Sequence, residues 1–416
     1  MEKLIGVMGI ALIIGAAVLW SNNRKQIPWK MVGSFLVMDF ILALVILKLP
    51  GTSDFFAWVG AGVNKLLDFA LDGAVFALGR TLVFGEFFKP GSPNGQEFIF
   101  AIRIGFSIIF ISGLASLGYY FGFLPKLIKL MAKFLTKFGL SGPEALSCSA
   151  AAFVGQVECQ LLIKPYIKTL TKSELFTSMT AAMATISGSA LVAYTSIGMP
   201  ATPLIAASLM SALGGIILAK IVCPETEHDK LQKEVDMQLP HDGVNAFDAA
   251  AHGVSAGVDI AIKVVSMVAF AIAFMAMVNW ALGAGLSLFG LHAQIQDVFA
   301  YPFMPVAWFM GVPWHECFHV GRLMATELLF NEFVSYGELA PVIHGAGPYV
   351  LAAKTQLIAT AALCGFAHLG SLGINIGGLG AMAPERRGEI AGIAFKSMMV
   401  ANMATWLTAT ICGLIF

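Results

Sequence analysis

Phe153-Val154-Gly155-Gln156-Val157-Glu158-Cys159 in the first half of the chain, and Phe309-Met310-Gly311-Val312-Pro313-Trp314-His315-Glu316-Cys317 in the second, decide how the fold is read. Each sits inside an apolar stretch, near 144–163 and 300–326, and interrupts it with polar or proline residues. Each is followed by a Gly/Ser-rich apolar segment, Thr185-Ile186-Ser187-Gly188-Ser189 and Cys364-Gly365-Phe366-Ala367-His368-Leu369-Gly370-Ser371. Broken backbone at membrane depth is tolerated only where protein or a cavity surrounds it, so both stretches read as re-entrant hairpins. Matching interruptions in two halves point to the midplane binding site of an inverted-repeat transporter. A carboxylate in such a hairpin costs about 2.5–3.5 kcal/mol unless it is paired or faces a polar cavity. Glu158 and Glu316 are therefore expected to meet around one polar solute. Gln156 adds an amide that both donates and accepts, suited to a nucleobase edge, while a carboxylate accepting two hydroxyls suits a ribose.

The rest of the chain agrees with a lipid environment. Of its 416 residues 58% are hydrophobic and only 12% charged, about half the charge of an average soluble domain, and the mean hydropathy is +0.81. The formal net charge is zero, which gives no electrostatic footprint for nucleic acid. Six scattered cysteines, Cys148, Cys159, Cys223, Cys317, Cys364 and Cys412, lack paired spacing and read as small core residues. A spanning helix needs about 20 apolar residues. Such runs lie near 4–20, 31–49, 97–122, 175–197, 199–223, 261–290, 346–383 and 389–416. The first is followed, not preceded, by its basic cluster (Arg24, Lys25, Lys30), so it reads as a retained span with its N-terminus outside. Lysine and arginine then gather in the alternate loops that this layout puts inside, and Glu327, Glu332 and Glu338 fall in an outside loop.

The expected fold is thus an all-α polytopic membrane protein: eight transmembrane helices plus two opposed re-entrant hairpins and interfacial helices, arranged as an inverted repeat. Lys126, Lys129, Lys133 and Lys137 recur at helical spacing among apolar residues and mark one interfacial helix; 54–70 is a second candidate. The expected organisation is a scaffold of spans 1–3 over 1–122, a first transport repeat over 123–223 and a cytoplasmic linker over 224–258. Scaffold span 6 over 259–297 and a second transport repeat over 298–416 complete it.

A different chemistry is also written in the second hairpin. His315-Glu316-Cys317-Phe318-His319 matches H-E-x-x-H, which on one helix face holds zinc with glutamate as base, and so allows an intramembrane metalloprotease. Against it, Pro313 and Trp314 indicate a hairpin tip, and Leu71-Asp72-Gly73, the candidate third-ligand element, lies upstream rather than downstream. His368 inside an apolar span reads as a satisfied core histidine or as a substrate or proton site, since imidazole titrates near about pH 6.5. Asn331-Glu332-Phe333-Val334-Ser335-Tyr336 reads as a solvated helix start.

These residues resemble the concentrative nucleoside transporters, most closely the bacterial sodium- or proton-coupled members. The likeness runs through Ser21-Asn22-Asn23-Arg24-Lys25, Phe98-Ile99-Phe100-Ala101, Gly155-Gln156 with Glu158, and Pro224-Glu225-Thr226-Glu227. It continues through Gly311-Val312-Pro313-Trp314 with Glu316, Asn331-Glu332-Phe333-Val334, Cys364-Gly365-Phe366-Ala367, and Ala383-Pro384 with Arg386-Arg387-Gly388. The resemblance implies a homotrimer that imports nucleosides or nucleoside-like solutes across the bacterial inner membrane, with both termini outside. It needs no enzyme activity, metal or cofactor beyond a coupling H+ or Na+. It also implies that Gln156, Val157 and Glu158 face the base with Ala190 and Phe366, and that Glu316, His368 and Ser371 face the ribose. The sodium site it implies uses the Thr185 hydroxyl and backbone oxygens near Val154 and Ile186.

Departures from the family pattern are informative. Val157 replaces a polar residue, His368 an asparagine, His315 an asparagine or serine, and Glu327 a lysine. Ala151 stands where sodium-coupled members carry a ligating asparagine. Loss of that oxygen favours proton over sodium coupling. The clustered His315, Glu316, Cys317 and His368 also admit a metal-chelated or other polar solute.

Overall fold

The computed structural model describes residues 2–49, 51–84, 99–232, 243–287 and 293–416, and among these the secondary structure is entirely helical. The N-terminal part comprises α1 (Glu2–Leu19), α2 (Trp29–Leu47), α3 (Thr52–Leu78), α4 (Arg80–Phe84) and α5 (Phe100–Tyr120). The basic residue after α1 has a local task. Arg24 donates from Nε to the Val18 carbonyl at 3.0 Å and from Nη2 to that of Leu19 at 2.7 Å, covering carbonyls that the helix end leaves open. Gly122, with φ 73°, turns the chain into α6 (Phe123–Thr136). This helix buries Pro125, Ile128, Ala132 and Leu135 and exposes Lys126, Lys129 and Lys133, as its spacing predicts.

The first hairpin is α7 (Gly142–Ala151) and α8 (Glu158–Leu161), followed by α9 (Lys172–Met183), α10 (Gly188–Ser196) and α11 (Ala201–Val222). Ser141 with Glu144, and Thr171 with Glu174, form reciprocal capping boxes that start α7 and α9. The second half runs α12 (Ala246–Ser287), α13 (Ile295–Phe309), α14 (Cys317–Leu329), α15 (Glu332–Ile343), α16 (Ala353–Ala362), α17 (Leu369–Met382) and α18 (Arg387–Ile415). The two halves repeat one succession: a long helix (α5, α12), a connecting helix (α6, α13), a hairpin (α7/α8, α14/α15), a broken helix (α9/α10, α16/α17) and a long buried helix (α11, α18).

Among the described residues, six segments are long and apolar enough to cross a membrane; 3–19 and 369–382 are apolar but shorter. The stretch 346–383, read from sequence as one span, is α16 and α17 separated by irregular backbone. The interior is built on α11 and α18, 89% and 83% buried in their apolar windows, whereas α12 is 17% buried and leaves Phe270, Met277 and Trp280 exposed.

Three sequence expectations are corrected. The interruption at 310–316 exists, with Gly311 at φ 96°, but it joins α13 to α14; the hairpin equivalent to α7/α8 turns later, at Phe330–Asn331. The linker expected over 224–258 is helical from Ala246, and 233–242 lie outside the described residues. The interfacial candidate 54–70 lies within the longer α3, which packs on α5 and α11 and is not among the segments apolar enough to cross a membrane. Glu327 and Glu332 do not lie in a solvated outside loop: they are 1% and 4% exposed, and Glu338 is tied to Arg322 Nη1 at 2.9 Å.

Candidate functional site

Four chain breaks meet around one cavity of about 230 Å³. The α7–α8 connection contributes Gly155, Gln156, Val157 and Glu158, and the α9–α10 break contributes Ser187, Ser189 and Ala190. The α14–α15 tip brings Asn331, Glu332 and Phe333; the α16–α17 break brings Phe366 and His368. One further side is closed by Ile108 of α5 and by Ile260, Lys263, Val264, Met267 and Val268 of α12. A second cavity of about 390 Å³ shares Gly155, Glu158, Ser187, Ser189 and Ile260 with the first and reaches Tyr119 and His252.

Each polar side chain is aimed by local chemistry. Glu332 is the first residue of α15, just as Glu158 is the first of α8. The Asn331 side chain caps α15 by accepting from the Val334 N–H at 2.9 Å, which directs the following carboxylate inward. Tyr194 donates to Glu332 Oε1 at 2.8 Å, and His368 Nε2 lies 3.3 Å from Oε2. The Tyr194 ring packs against Phe333 and Tyr336, with centroids 4.7 and 4.8 Å away. His368 is itself the N-cap residue of α17. The Gln156 carbonyl accepts from Asn375 Nδ2 at 3.3 Å, leaving its NH₂ free to donate; Asn375 also donates to the Ser371 carbonyl at 3.1 Å.

Two glycines make room for these groups. A Cβ on Gly155 would collide with the Glu158 carboxylate, and one on Gly378 would stand 3.0 Å from Val157 Cγ1. Ser187 caps α10 by accepting from the Ala190 N–H at 3.1 Å.

The residues expected around a cation lie together beside the cavity. Thr185 donates to the Ala151 carbonyl at 2.8 Å, the Gly188 N–H to the Phe153 carbonyl at 3.0 Å, and the Ile186 N–H to Ser208 Oγ at 3.2 Å. Val154 lines the second cavity. Ala151 thus offers a backbone oxygen where its side chain has none to give.

Glu158 and Glu316 do not converge. Glu316 is buried away from the cavity lining, accepting from the Ala352 N–H at 3.1 Å, with His315 Nε2 at 3.6 Å. In the repeat, Glu316 precedes α14 as Glu144 sits in the first turn of α7; the true counterpart of Glu158 is Glu332. Ser371 is fully buried and outside the lining. His315 is on a 3-10 turn and 79% exposed in its side chain, while His319 on α14 stacks on Tyr349 with centroids 4.0 Å apart. Those two histidines therefore share no helix face, and among the described residues no three His, Cys, Asp or Glu side chains form a metal-holding group. His315 and Glu316 are likewise not joined to His368, which removes the basis for a metal-chelating cluster.

Sequence reasoning missed Glu332, Asn331, Tyr194, Asn375 and Lys263. The signal for the first two was present: Asn followed by Glu after an apolar run is a helix-start pattern, but flanking glutamates made it look solvated.

Comparison with known proteins agrees with this architecture. The models described as Na+ dependent nucleoside transporter N-terminus, nucleoside recognition (Gate) and Na+ dependent nucleoside transporter C-terminus match residues 8–81, 101–201 and 203–413. An uncharacterized transporter of Haemophilus influenzae is 37% identical, covering 100% of this chain and 98% of its own. The nucleoside permease NupC of Helicobacter pylori is 33% identical over 99% and 98%. The solved structure of CNTnw in an inward-facing substrate-bound state superposes with TM-score 0.93 at 35% identity, covering 100% of this chain and 99% of that one. A double variant of CNTnw in an outward-facing state gives 0.94 at 34%, covering 100% and 99%.

Proposed function

The chain belongs to the concentrative, Na+-dependent nucleoside transporter family, and from that premise we propose that its coupling ion is the proton and that the four-break cavity holds the nucleoside. It is a cation-coupled nucleoside transporter of a bacterial membrane and not an enzyme. The observation that carries the site assignment is the meeting of Gln156, Glu158, Glu332 and His368 around one cavity. In this reading a base lies against Gln156, Glu158, Val157, Ala190 and Phe366, and a ribose against Glu332 and His368. Glu332, held by Tyr194 and His368, accepts hydroxyl hydrogen bonds without the cost of an unpaired buried charge.

Proton coupling is supported by two features. The position beside Thr185 is Ala151, so a hard cation finds backbone carbonyls and one hydroxyl but no side-chain amide. The Glu332–His368 pair lies inside the cavity and is a carboxylate–imidazole unit able to take up a proton. The scaffold of this reading is 1–122 with 259–297. The moving part is 123–223 with 298–416, joined through 224–245 and the first turns of α12, and carries its four breaks past α5 and α12. Three copies assemble through scaffold helices such as α3 and α12, whose apolar faces stay open in one chain, and both chain ends lie outside.

The test is uptake of labelled nucleosides into proteoliposomes under proton and sodium gradients imposed separately. A proton gradient alone is expected to drive accumulation, and Ala151→Asn is expected to add a sodium response. Accumulation driven only by sodium would overturn the coupling assignment.

A further inference from the structure

Lys263 stands near the middle of α12 in the run Ile260-Ala261-Ile262-Lys263-Val264-Val265-Ser266-Met267-Val268. An ammonium inside an apolar spanning segment is costly, and such residues face a partner or a polar cavity. Ile260, Val264, Met267 and Val268, its neighbours on one helix face, line the same cavity as Lys263 itself. Asp259, one turn earlier, does not. Among the described residues neither the Lys263 ammonium nor the Glu158 carboxylate has a hydrogen-bond or ion-pair partner, although both border the 230 Å³ space. A donor on the α12 side and an acceptor on the hairpin thus border one space, both open to a solute that enters it. Gln156 supplies the third group: with its carbonyl engaged by Asn375, it presents its NH₂.

We propose that Lys263 is a specificity-determining residue: Lys263 and Gln156 donate to carbonyl oxygens of the nucleobase while Glu158 accepts the ring N–H between them. The proposal rests on the nucleoside reading above and narrows it to a substrate class. A donor–acceptor–donor wall matches a uracil edge, which offers oxygen, N–H and oxygen in turn. A hypoxanthine edge offers an oxygen and an adjacent N–H and satisfies two of the three. Cytosine presents an amino group and an unprotonated ring nitrogen at the same edge, so it sets donor against Lys263 or Gln156 and acceptor against Glu158. Adenine fails in the same way. A site built around such contacts rejects the mismatched analogue because its own polar groups are then left unpaired.

Initial uptake of uridine, inosine, cytidine and adenosine into proteoliposomes is compared for the wild type, Lys263→Met and Lys263→Arg. The wild type is expected to take uridine and inosine in preference to cytidine and adenosine. In Lys263→Met the uridine-to-cytidine ratio falls about tenfold, the loss of one charge-assisted hydrogen bond, and Lys263→Arg retains most of it. A ratio unaltered by Lys263→Met, or an equal loss of all four solutes in both variants, overturns the proposal. Should either variant fail to transport, competition of uridine and cytidine for the detergent-solubilised protein reads the same ratio: a fall in Lys263→Met supports the proposal and an unaltered value overturns it. Failure of the wild type to take up any nucleoside would instead overturn the nucleoside reading on which the proposal stands.

Discussion

Glu332 receives one hydrogen bond from Tyr194 and lies within reach of His368, so its charge is compensated only while both stay in place. Replacing it by Gln keeps the shape and removes the charge. Glu332→Gln is expected to lower initial nucleoside uptake roughly ten- to a hundredfold, the range for a hydrogen bond to a charged group. Tyr194→Phe is expected to cost less, about threefold to tenfold, because one of two supports remains. Wild-type rates in Glu332→Gln would remove this residue from the site. Gly155→Ala tests a steric point: the added methyl meets the Glu158 carboxylate and displaces it. A folded but transport-deficient protein is expected, judged by uptake beside an unchanged elution profile. At this scale Gln156 and Glu158 were legible as polar residues inside an apolar run. Glu332 was not, because its own neighbourhood, with Glu327 and Glu338, looks polar in one dimension.

At the scale of elements, the first hairpin is anchored by an ion pair that lies away from the cavity. Lys220 near the end of α11 contacts Glu144 in the first turn of α7 at 2.6 Å, with 4% and 1% of the two side chains exposed. Its ammonium also donates to Ser173 Oγ at 3.1 Å, which ties in α9. Breaking one half of a buried pair leaves an unmatched charge, at a cost of about 3–5 kcal/mol. Lys220→Met is therefore expected to lower the unfolding temperature in detergent, and adding Glu144→Gln to recover part of the loss. Equal stability of Lys220→Met and wild type would show that the pair does not hold the hairpin. The helix α6 was readable, since Lys126, Lys129 and Lys133 recur at helical spacing among the apolar residues it buries. The position of the second hairpin was not readable. Two breaks follow one another there, at 310–316 and at 330–331, and the first, with Gly311 and Pro313, is the more conspicuous in sequence.

For the molecule as a whole, the second cavity runs from Glu158 toward Tyr119 and His252 at one end of α5 and α12, and solute is expected to pass along it between the site and one face of the membrane. All six native cysteines are buried, so a cysteine placed at Ser112 or Ala256, both on that path, can be followed without removing them. Such a cysteine is expected to react with a water-soluble thiol reagent and to be slowed by added nucleoside. Absence of labelling at both positions would close this route. Charge scarcity, apolar run lengths and lysine placement settled by themselves that the chain is helical and built for lipid, because those properties add up residue by residue along the sequence. The paired interruptions also declared a repeat. Which break faces which did not follow, since it depends on packing between segments more than a hundred residues apart. Glu332 rather than Glu316 opposes Glu158, and Lys263 turns toward the cavity, only once α5, α12, α15 and α17 are folded around the same space.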